Sequence, residues 1–184
     1  MMATYENPDD VVRLLKEDHQ LVKSRLEALG AAPADGRAEL FWKLTNDLVR
    51  HEVAEEVVVY PAVRDVPGGD AIADARIAEQ SEAEEKLAQM EKMDATSPEF
   101  AQEVAALKSA VLEHAKAEEE TAFAMLLGAL APDRRIELGQ RYTKAKDAAP
   151  THPHPHAPDT PPGNVVMGPL AALVDRVRDA AAAV

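Results

Sequence analysis

The chain has 184 residues, of which 46% are apolar, so it is long enough and apolar enough to bury the core of one domain. Only 4% of the residues are aromatic, and Ala and Leu are prominent among the apolar ones, which favours helices over sheets. The 33 acidic residues outnumber the 20 basic ones, and the formal charge of -13 disfavours nucleic acids and anionic membrane surfaces as partners.

The first two helices are marked by their ends and by their apolar stripes. The range Asn7–Asp10 offers a capping side chain, a proline suited to a first helical turn and acids that favour the positive end of the helix dipole. A first helix is predicted to begin there and to run to Gly30. The second helix is predicted to begin near Arg37 and to end or kink near Tyr60, because Pro61 restricts the residue before it.

Turn residues also mark the third and fourth helices. The range Val66–Asp70 contains a proline and two glycines, and its last residue is placed to cap a third helix that runs to about Met93. Thr96 and Ser97 are alternative caps of a fourth helix, which ends near Gly128. Long helices joined by short loops predict an all-α fold, an antiparallel up-down four-helix bundle.

The chain changes character after the fourth helix. A shorter helix is predicted from Asp133 to about Ala145, packed on the bundle through Ile136, Leu138 and Tyr142. Residues 1–147 are predicted to form the bundle domain, and residues 148–184 an extended tail rich in proline and histidine. Residues 169–184 are predicted to form a short helix that docks on the body or on a partner. The tail histidines alternate with prolines, so their side chains have no fixed convergence, and a stiff spacer is predicted instead of a metal site.

The three histidines outside the tail lie on the apolar stripes of three different helices. His19, His51 and His114 are each spaced three, four or seven residues from leucines or valines, which places all three toward the core. A single buried histidine is more often a hydrogen-bonded core residue than a ligand, but three that face one core favour a metal site. Because the chain has no cysteine, nitrogen and oxygen atoms must supply the ligands.

Two of these histidines are followed four residues later by a glutamate, Glu55 after His51 and Glu118 after His114. That spacing turns the two side chains apart by only about 40°, so each pair faces the same interior point. The alternative is that these acids belong to solvated charge runs. Because they continue the apolar stripes, and because buried carboxylates are costly without a cation, the sequence favours metal ligands.

The third helix carries no histidine. Its inward line passes through Gln80 and Glu84, with Glu79 at the edge as a further possible ligand. Glu84 is predicted to complete the site and Gln80 to ligate weakly or only to hydrogen-bond, although an ordinary acidic surface is the alternative. The predicted ligands are enough for two metal ions: His19, His51, Glu55, Glu84, His114 and Glu118. Imidazole and carboxylate ligands in a helical bundle favour iron or manganese over zinc, with iron preferred.

Three stretches resemble the hemerythrin family, specifically its HHE cation-binding domains. They are Asp18-His19, the range His51–Pro61 and the range His114–Glu120, and the resemblance covers about residues 8–130. The resemblance implies that the three histidines are terminal ligands of two oxo-bridged irons. It also implies that Glu55 and an acid of the fourth helix are bridging carboxylates.

The resemblance leaves two members of the site open. The acid of the fourth helix is Glu118 or Glu119, and the face argument favours Glu118, because Glu119 is turned by about 140° from His114. Oxygen-carrying members have histidines at the positions of Gln80 and Glu84. Carboxylate in place of neutral imidazole favours the ferric state and disfavours reversible oxygen binding.

The leading functional hypothesis is a cytoplasmic non-haem di-iron protein that reacts with dioxygen, hydrogen peroxide or nitric oxide, in protection or sensing. As an enzyme it is predicted to be a catalase-like or peroxidase-like oxidoreductase. Tyr60 is predicted to hydrogen-bond near the ligands, with an ordinary core tyrosine as the alternative. The other hypotheses are an iron- or redox-responsive regulatory module with a tail-mediated contact, and a helical scaffold without metal. The cytoplasmic prediction follows because no signal peptide or membrane helix is recognisable.

Overall fold

The computed structural model describes residues 7–156, 163, 171–176, 178 and 179. The helices of residues 7–156 are α1 Val11–Ala31, α2 Arg37–Ala54, α3 Tyr60–Arg64, α4 Gly69–Met90, α5 Pro98–Glu120, α6 Ala122–Ala129 and α7 Pro132–Ala148. A short 3-10 turn, Ala34–Gly36, precedes α2, and a π turn, Glu55–Val59, joins α2 to α3. The long helices α1, α2, α4 and α5 form the bundle, in which α1 packs on α2 and α5, and α5 packs on α4. The predicted all-α bundle is confirmed.

Two helix starts use acidic or hydroxyl caps. The carboxylate of Asp10 accepts a hydrogen bond from the backbone N–H of Val12 at 3.0 Å and caps α1. Of the two caps proposed for the fourth bundle helix, Ser97 is the one used, because its Oγ accepts from the N–H of Phe100 at 3.1 Å. These bonds satisfy donors that a helix leaves unpaired at its first turn.

The start of α4 depends on two glycines. Gly68 has a φ of 86°, a left-handed conformation that glycine adopts without steric cost. At Gly69, a Cβ would lie 1.8 Å from the carbonyl oxygen of Val63, so only glycine allows the chain to approach α3 so closely. Asp70, predicted as the cap, lies instead within the first turn of α4.

The second bundle helix does not simply stop before its proline. The chain widens into the π turn, in which the N–H of Tyr60 bonds to the carbonyl of Glu55, and it continues through Pro61 as α3. In a regular α-helix the ring of Pro61 would clash with the carbonyl of Val57 four residues earlier. The wider turn avoids that clash, and it begins at the glutamate predicted to bind metal.

The fourth predicted helix is two helices in the structure. The break lies at Thr121, where φ is -116° and ψ is -78°. The hydroxyl of Thr121 donates to the carbonyl of Ala117 at 2.6 Å, a back-bonded arrangement that bends helices. The short helix α6 therefore turns Phe123 and Leu126 into the core, where both are fully buried.

Most buried apolar side chains of the described residues fall into two clusters, one toward each end of the bundle. One cluster contains Leu15, Tyr60, Phe123 and Tyr142, and the other contains Val22, Leu48 and Phe100, among others. Along α1 the two clusters are separated by His19. The polar side chains of the candidate site therefore lie between two water-excluding layers.

The helix α7 packs across α1, α2 and the π turn. Leu138 and Tyr142 are buried, as predicted, and Ile136 is half-buried. A Cβ at Gly139 would lie 1.8 Å from the carbonyl oxygen of Asp9, so glycine is needed for α7 to reach the start of α1. The predicted shorter helix is thus an integral part of the body.

The described part of the tail returns to α4 and does not extend away from it. The imidazole of His152 contacts the carboxylate of Glu91, and Asp175 accepts hydrogen bonds from the backbone N–H groups of Thr151 and His152. Residues 171–176 are helical, whereas Leu170 and Val177 of the predicted terminal helix lie outside the described residues. Within the part of the chain that the structure describes, no helix has the length and apolar composition needed to cross a membrane.

Candidate metal centre

Four buried side chains converge between the two apolar clusters. His19 of α1, His51 of α2, Glu55 of the π turn and Glu118 of α5 each offer a ligand atom, and these atoms lie within 4.8 Å of one another. Both glutamates are fully buried, and the histidines are nearly so. The sequence predicted all four as ligands, and the structure brings them together.

The Nε2 atoms of the histidines face the carboxylates. His19 Nε2 and His114 Nε2 lie 3.3 Å and 3.5 Å from the same oxygen of Glu118, and His51 Nε2 lies 3.3 Å from an oxygen of Glu55. The side chain of His114 is 12% exposed, so it lies at the edge of this group. Glu118 is therefore placed between two histidines from α1 and α5.

Several polar atoms at the centre of the group have no hydrogen-bond partner among the described residues. They are His19 Nε2, His114 Nε2, Glu55 Oε1 and both carboxylate oxygens of Glu118. Buried carboxylate oxygens without donors are costly unless a cation compensates them. Imidazole nitrogens and carboxylate oxygens are the ligands that iron, manganese and zinc accept. The side chains present therefore fit bound metal.

Two histidines are held from behind by glutamates. His19 Nδ1 lies 3.0 Å from Glu119 Oε1, and His114 Nδ1 lies 2.8 Å from Glu79 Oε2. A hydrogen bond at Nδ1 fixes the ring and leaves Nε2 to a metal. Glu119 and Glu79 were named as alternative ligands, but the structure places both on the outer nitrogens of the histidines.

The third histidine is held by a residue that the sequence predicted only as a core contact. His51 Nδ1 lies 2.7 Å from the hydroxyl of Tyr142, which donates to Asp18 Oδ2 at 2.6 Å. The ammonium of Lys146 also contacts Asp18. Tyr142 and Lys146 come from α7, which lies far from His51 in sequence, so helical periodicity carried no signal for this arrangement.

The helix α4 approaches the group through Gln80. Its Nε2 donates to Glu55 Oε2 at 2.6 Å and to the hydroxyl of Tyr60 at 2.7 Å, and its Oε1 is buried without a hydrogen bond to a described residue. Tyr60 thus contacts Gln80, which in turn contacts Glu55. This places the tyrosine near the ligands, as the sequence suggested, with one amide between them.

Glu84 takes a different position. Its Oε1 accepts a hydrogen bond from the backbone N–H of His154 at 2.7 Å, so the structure brings this acid to the tail and not into the converging group. The spacing of residues along α4 predicted the helix face on which Glu84 lies. That spacing could not predict that the tail packs against the same face and donates a hydrogen bond to this acid.

Glu52 is an acid near the site that the sequence analysis did not select. Its side chain is only 5% exposed, and burial together with the charges of Glu84 and Glu56 raises its pKa well above the usual value. Helical spacing could have identified Glu52 as an inward-facing acid, because it follows Leu48 of the apolar stripe by four residues.

In the metal-free protein, the surroundings shift the pKa values of the two central carboxylates in opposite directions. Burial, and then the charge of Glu118, raises the pKa of Glu55 well above its usual value. Burial opposes ionisation of Glu118 too, but contact with His19 and the charges of the histidines lower its pKa to about 2. The pKa of His19 is about 9, because Glu118 and Glu119 outweigh the effect of burial. A metal ion would displace the protons of Glu55 and His19.

Comparisons with known proteins agree with this centre. The profile of the hemerythrin HHE cation binding domain matches residues 10–126. An uncharacterised hemerythrin-like protein of Schizosaccharomyces pombe is 30% identical over 169 residues, which cover 91% of this chain and 80% of that protein. A DNA nickase of Nostoc is 32% identical over 142 residues, which cover 76% of this chain but 39% of that protein. No solved structure gives a significant match. The chain belongs to the hemerythrin family of HHE cation-binding domains.

Proposed function

We propose that the chain is a non-haem di-iron protein that reacts with hydrogen peroxide, dioxygen or nitric oxide, in protection or sensing. The family binds metal ions, typically iron. The observation that carries the proposal is the convergence of His19, His51, Glu55 and Glu118 in a buried site, where several of the central atoms make no hydrogen bond to a described residue. In a metal-free scaffold the histidines would offset the charge of Glu118, but the buried oxygens at the centre would still lack donors among the described residues.

Two metal ions fit this donor set better than one. Glu118 lies between His19 and His114, which suits a carboxylate that joins two ions, and Glu55 lies beside His51. The buried Oε1 of Gln80 is a further oxygen donor from α4. A single zinc ion needs only about four ligands and would leave donors of this set unused.

The protein's own residues orient the ligands and exclude water. Tyr142 and Glu119 hold the rings of His51 and His19 from behind, and Phe123 stacks on His19 with ring centroids 5.2 Å apart. When bound, two irons would supply Lewis acidity and electrons for reaction with the small molecule. Because α4 contributes an amide where oxygen carriers have histidine, the oxygen-rich donor set favours turnover over reversible oxygen storage.

Metal analysis of the full chain, purified without chelator, tests the proposal. Two irons per chain are expected, together with near-ultraviolet absorption bands of an oxidised di-iron centre. The iron-loaded protein is expected to consume hydrogen peroxide catalytically. A single zinc ion per chain would contradict the di-iron centre, and reversible oxygen binding without peroxide consumption would contradict turnover.

One observation favours a regulatory alternative. The tail contacts Glu84 of α4 and Glu91, the residue after α4 ends, and α4 also carries Gln80, which touches Glu55. A change at the metal centre would then alter how the tail packs. Limited proteolysis of the tail in metal-free and iron-loaded protein tests this alternative, and equal cleavage rates would exclude it.

A further inference from the structure

A cavity of about 400 Å³ opens between α4 and α5 on one side of the metal centre. Four glutamates line it, Glu52, Glu79, Glu82 and Glu113, together with His114. Glu82 and Glu113 are exposed and lie at its mouth, whereas Glu52 is buried and lies at its inner end. The cavity therefore runs from an acidic surface toward a proposed metal ligand.

The charge of this cavity is negative even after its ion pairs are considered. Lys86 is the only lysine or arginine among the described residues that line it, and its Nζ pairs with Glu103 at 2.6 Å. Glu79 is compensated by Arg76 and His114. A cleft of one charge sign with apolar walls concentrates counter-ions and accelerates their arrival.

Glu52 is an independent sign of a cationic ligand. Its side chain is only 5% exposed, and its carboxylate makes no hydrogen bond to another described residue. A carboxylate in that position, facing a cavity, is stabilised by a passing or bound cation. The cavity therefore has exposed acids, Glu82 and Glu113, at its mouth and, at its inner end, a buried acid without a hydrogen-bond donor among the described residues, Glu52.

The path continues from Glu52 to the centre. Glu52 and His114 also line a second, much smaller cavity, whose wall includes His19 and His51. The two cavities therefore share Glu52, Val111 and His114, which lie between the mouth and the converging ligands.

We propose that the cavity between α4 and α5 is the route by which divalent metal ions enter the centre. Glu82 and Glu113 attract the ion, and Glu52 passes it to His114 and the inner histidines. This inference rests on the proposed metal centre. A cavity of about 230 Å³ on the opposite side, between α1 and α5, is lined by Lys23 and Lys116 as well as by acids, and so favours a cation less.

Uptake of Co²⁺ by the metal-free full chain tests the route, because Co²⁺ bound to nitrogen and oxygen ligands absorbs visible light. The double variant Glu82→Gln/Glu113→Gln is expected to take up Co²⁺ about five- to tenfold more slowly at low salt, with an unchanged final absorbance. The difference should shrink at high salt, because salt screens exposed charges. The matched control Glu85→Gln/Glu120→Gln removes the same charge outside this cavity, and Glu120 lies at the opposite one.

A variant inside the cavity tests the inner step. Glu52→Gln is expected to slow uptake at high salt as well as at low salt. An arriving cation can displace the proton of Glu52 and pair with its carboxylate, a buried contact that salt screens little and that an amide cannot make. An unchanged rate in Glu52→Gln would overturn the path past this residue. Equal rates in the mouth variant and its control, or a slower control, would overturn the route as a whole.

The same experiment separates failure of the route from failure of the proposed function. His51→Ala is expected to lose most of the Co²⁺ absorbance, because it removes a central ligand. If wild type shows no absorbance, or if His51→Ala matches wild type, the proposed centre is overturned.

Discussion

The Nδ1 atom of His51 lies 2.7 Å from the hydroxyl of Tyr142, a residue 91 positions later in the chain. The same hydroxyl donates to Asp18, which neighbours His19 on α1. A helix outside the four-helix core therefore orients one proposed ligand and joins it to the helix that carries another. The arrangement leaves Nε2 of His51 directed at Glu55.

Tyr142→Phe removes this hydroxyl and keeps the ring in the core. We expect metal affinity to fall roughly 10- to 100-fold, because residues that orient a ligating histidine have effects of that size. Competition with a coloured chelator measures the affinity. The control is Thr143→Val, which removes the hydroxyl of the next position of α7, an exposed residue whose hydroxyl donates to the carbonyl of Gly139 and not to the metal centre. Equal affinities in the two variants would show that Tyr142 is only a packing residue.

Glu118→Gln keeps the shape of the fully buried side chain but removes its charge. We expect the variant to retain fewer than two metal ions per chain, because Glu118 faces both His19 and His114. Elemental analysis of the purified protein measures the content. Glu120→Gln, two residues later and exposed, is expected to retain the wild-type content. Full metal content in Glu118→Gln would remove this residue from the ligand set.

The contribution of α4 is tested by two substitutions on one helix. Gln80→Ala removes the donor to Glu55 and Tyr60, so metal affinity is expected to fall and the free energy of unfolding to decrease by about 1 to 3 kcal/mol. Glu84→Gln is expected to leave metal content unchanged, because its carboxylate accepts from the tail. Loss of metal in Glu84→Gln would restore that acid as a ligand.

Gly139→Ala tests the docking of α7. The added methyl would lie 1.8 Å from the carbonyl oxygen of Asp9, so we expect the free energy of unfolding to fall by about 1 to 3 kcal/mol. Urea denaturation measures the change. Gly30→Ala in α1 is the matched control, because no heavy atom lies within 4 Å of its added Cβ. We expect that control to be neutral or slightly stabilising, since alanine favours helix.

The contact between His154 and Asp175 is expected to make tail packing depend on pH. The hydrogen bond that the imidazole of His154 donates to the carboxylate of Asp175 raises the pKa of His154 above 6.5, so its contribution is complete below pH 6.5 and is lost as the pH rises. Burial opposes ionisation of Asp175, but His154 and backbone N–H groups lower its pKa below 3.8, so its contribution is lost at still lower pH.

Amide hydrogen exchange of residues 151–154 measures this dependence. Protection, corrected for intrinsic exchange, is expected to be greatest between about pH 4 and pH 6.5 and to decrease above that range. His154→Gln should remove the decrease, whereas His156→Gln, at an exposed position, should keep it. A protection profile that is flat in the wild type would show that the ion pair does not hold the tail.

The long helices and most of the converging group were predictable because both depend on local spacing. His19, His51, Glu55 and Glu118 lie on apolar stripes of period 3.6, so any packing that buries those stripes brings them to one interior. The same helical spacing placed Gln80 on the inward face of α4, and in the structure this residue contacts Glu55. Capping residues located the helix ends to within a few positions. Ser97 is a cap as predicted, whereas α1 is capped by Asp10, which was predicted as an acid of the first turn, and not by Asn7.

Helical periodicity could not predict where segments that are distant in sequence pack against the bundle. The hydroxyl of Tyr142 contacts His51, and the backbone N–H of His154 donates a hydrogen bond to Glu84. Both contacts exist because α7 and the tail, which are distant in sequence, pack on the bundle. The π turn at Glu55 likewise reflects a conflict between Pro61 and regular helix geometry. Local pattern alone thus determined the fold class and most of the converging side chains. Only tertiary packing decided which residues orient each proposed ligand and which acid of α4 contacts the tail, since those contacts join segments that are far apart in sequence.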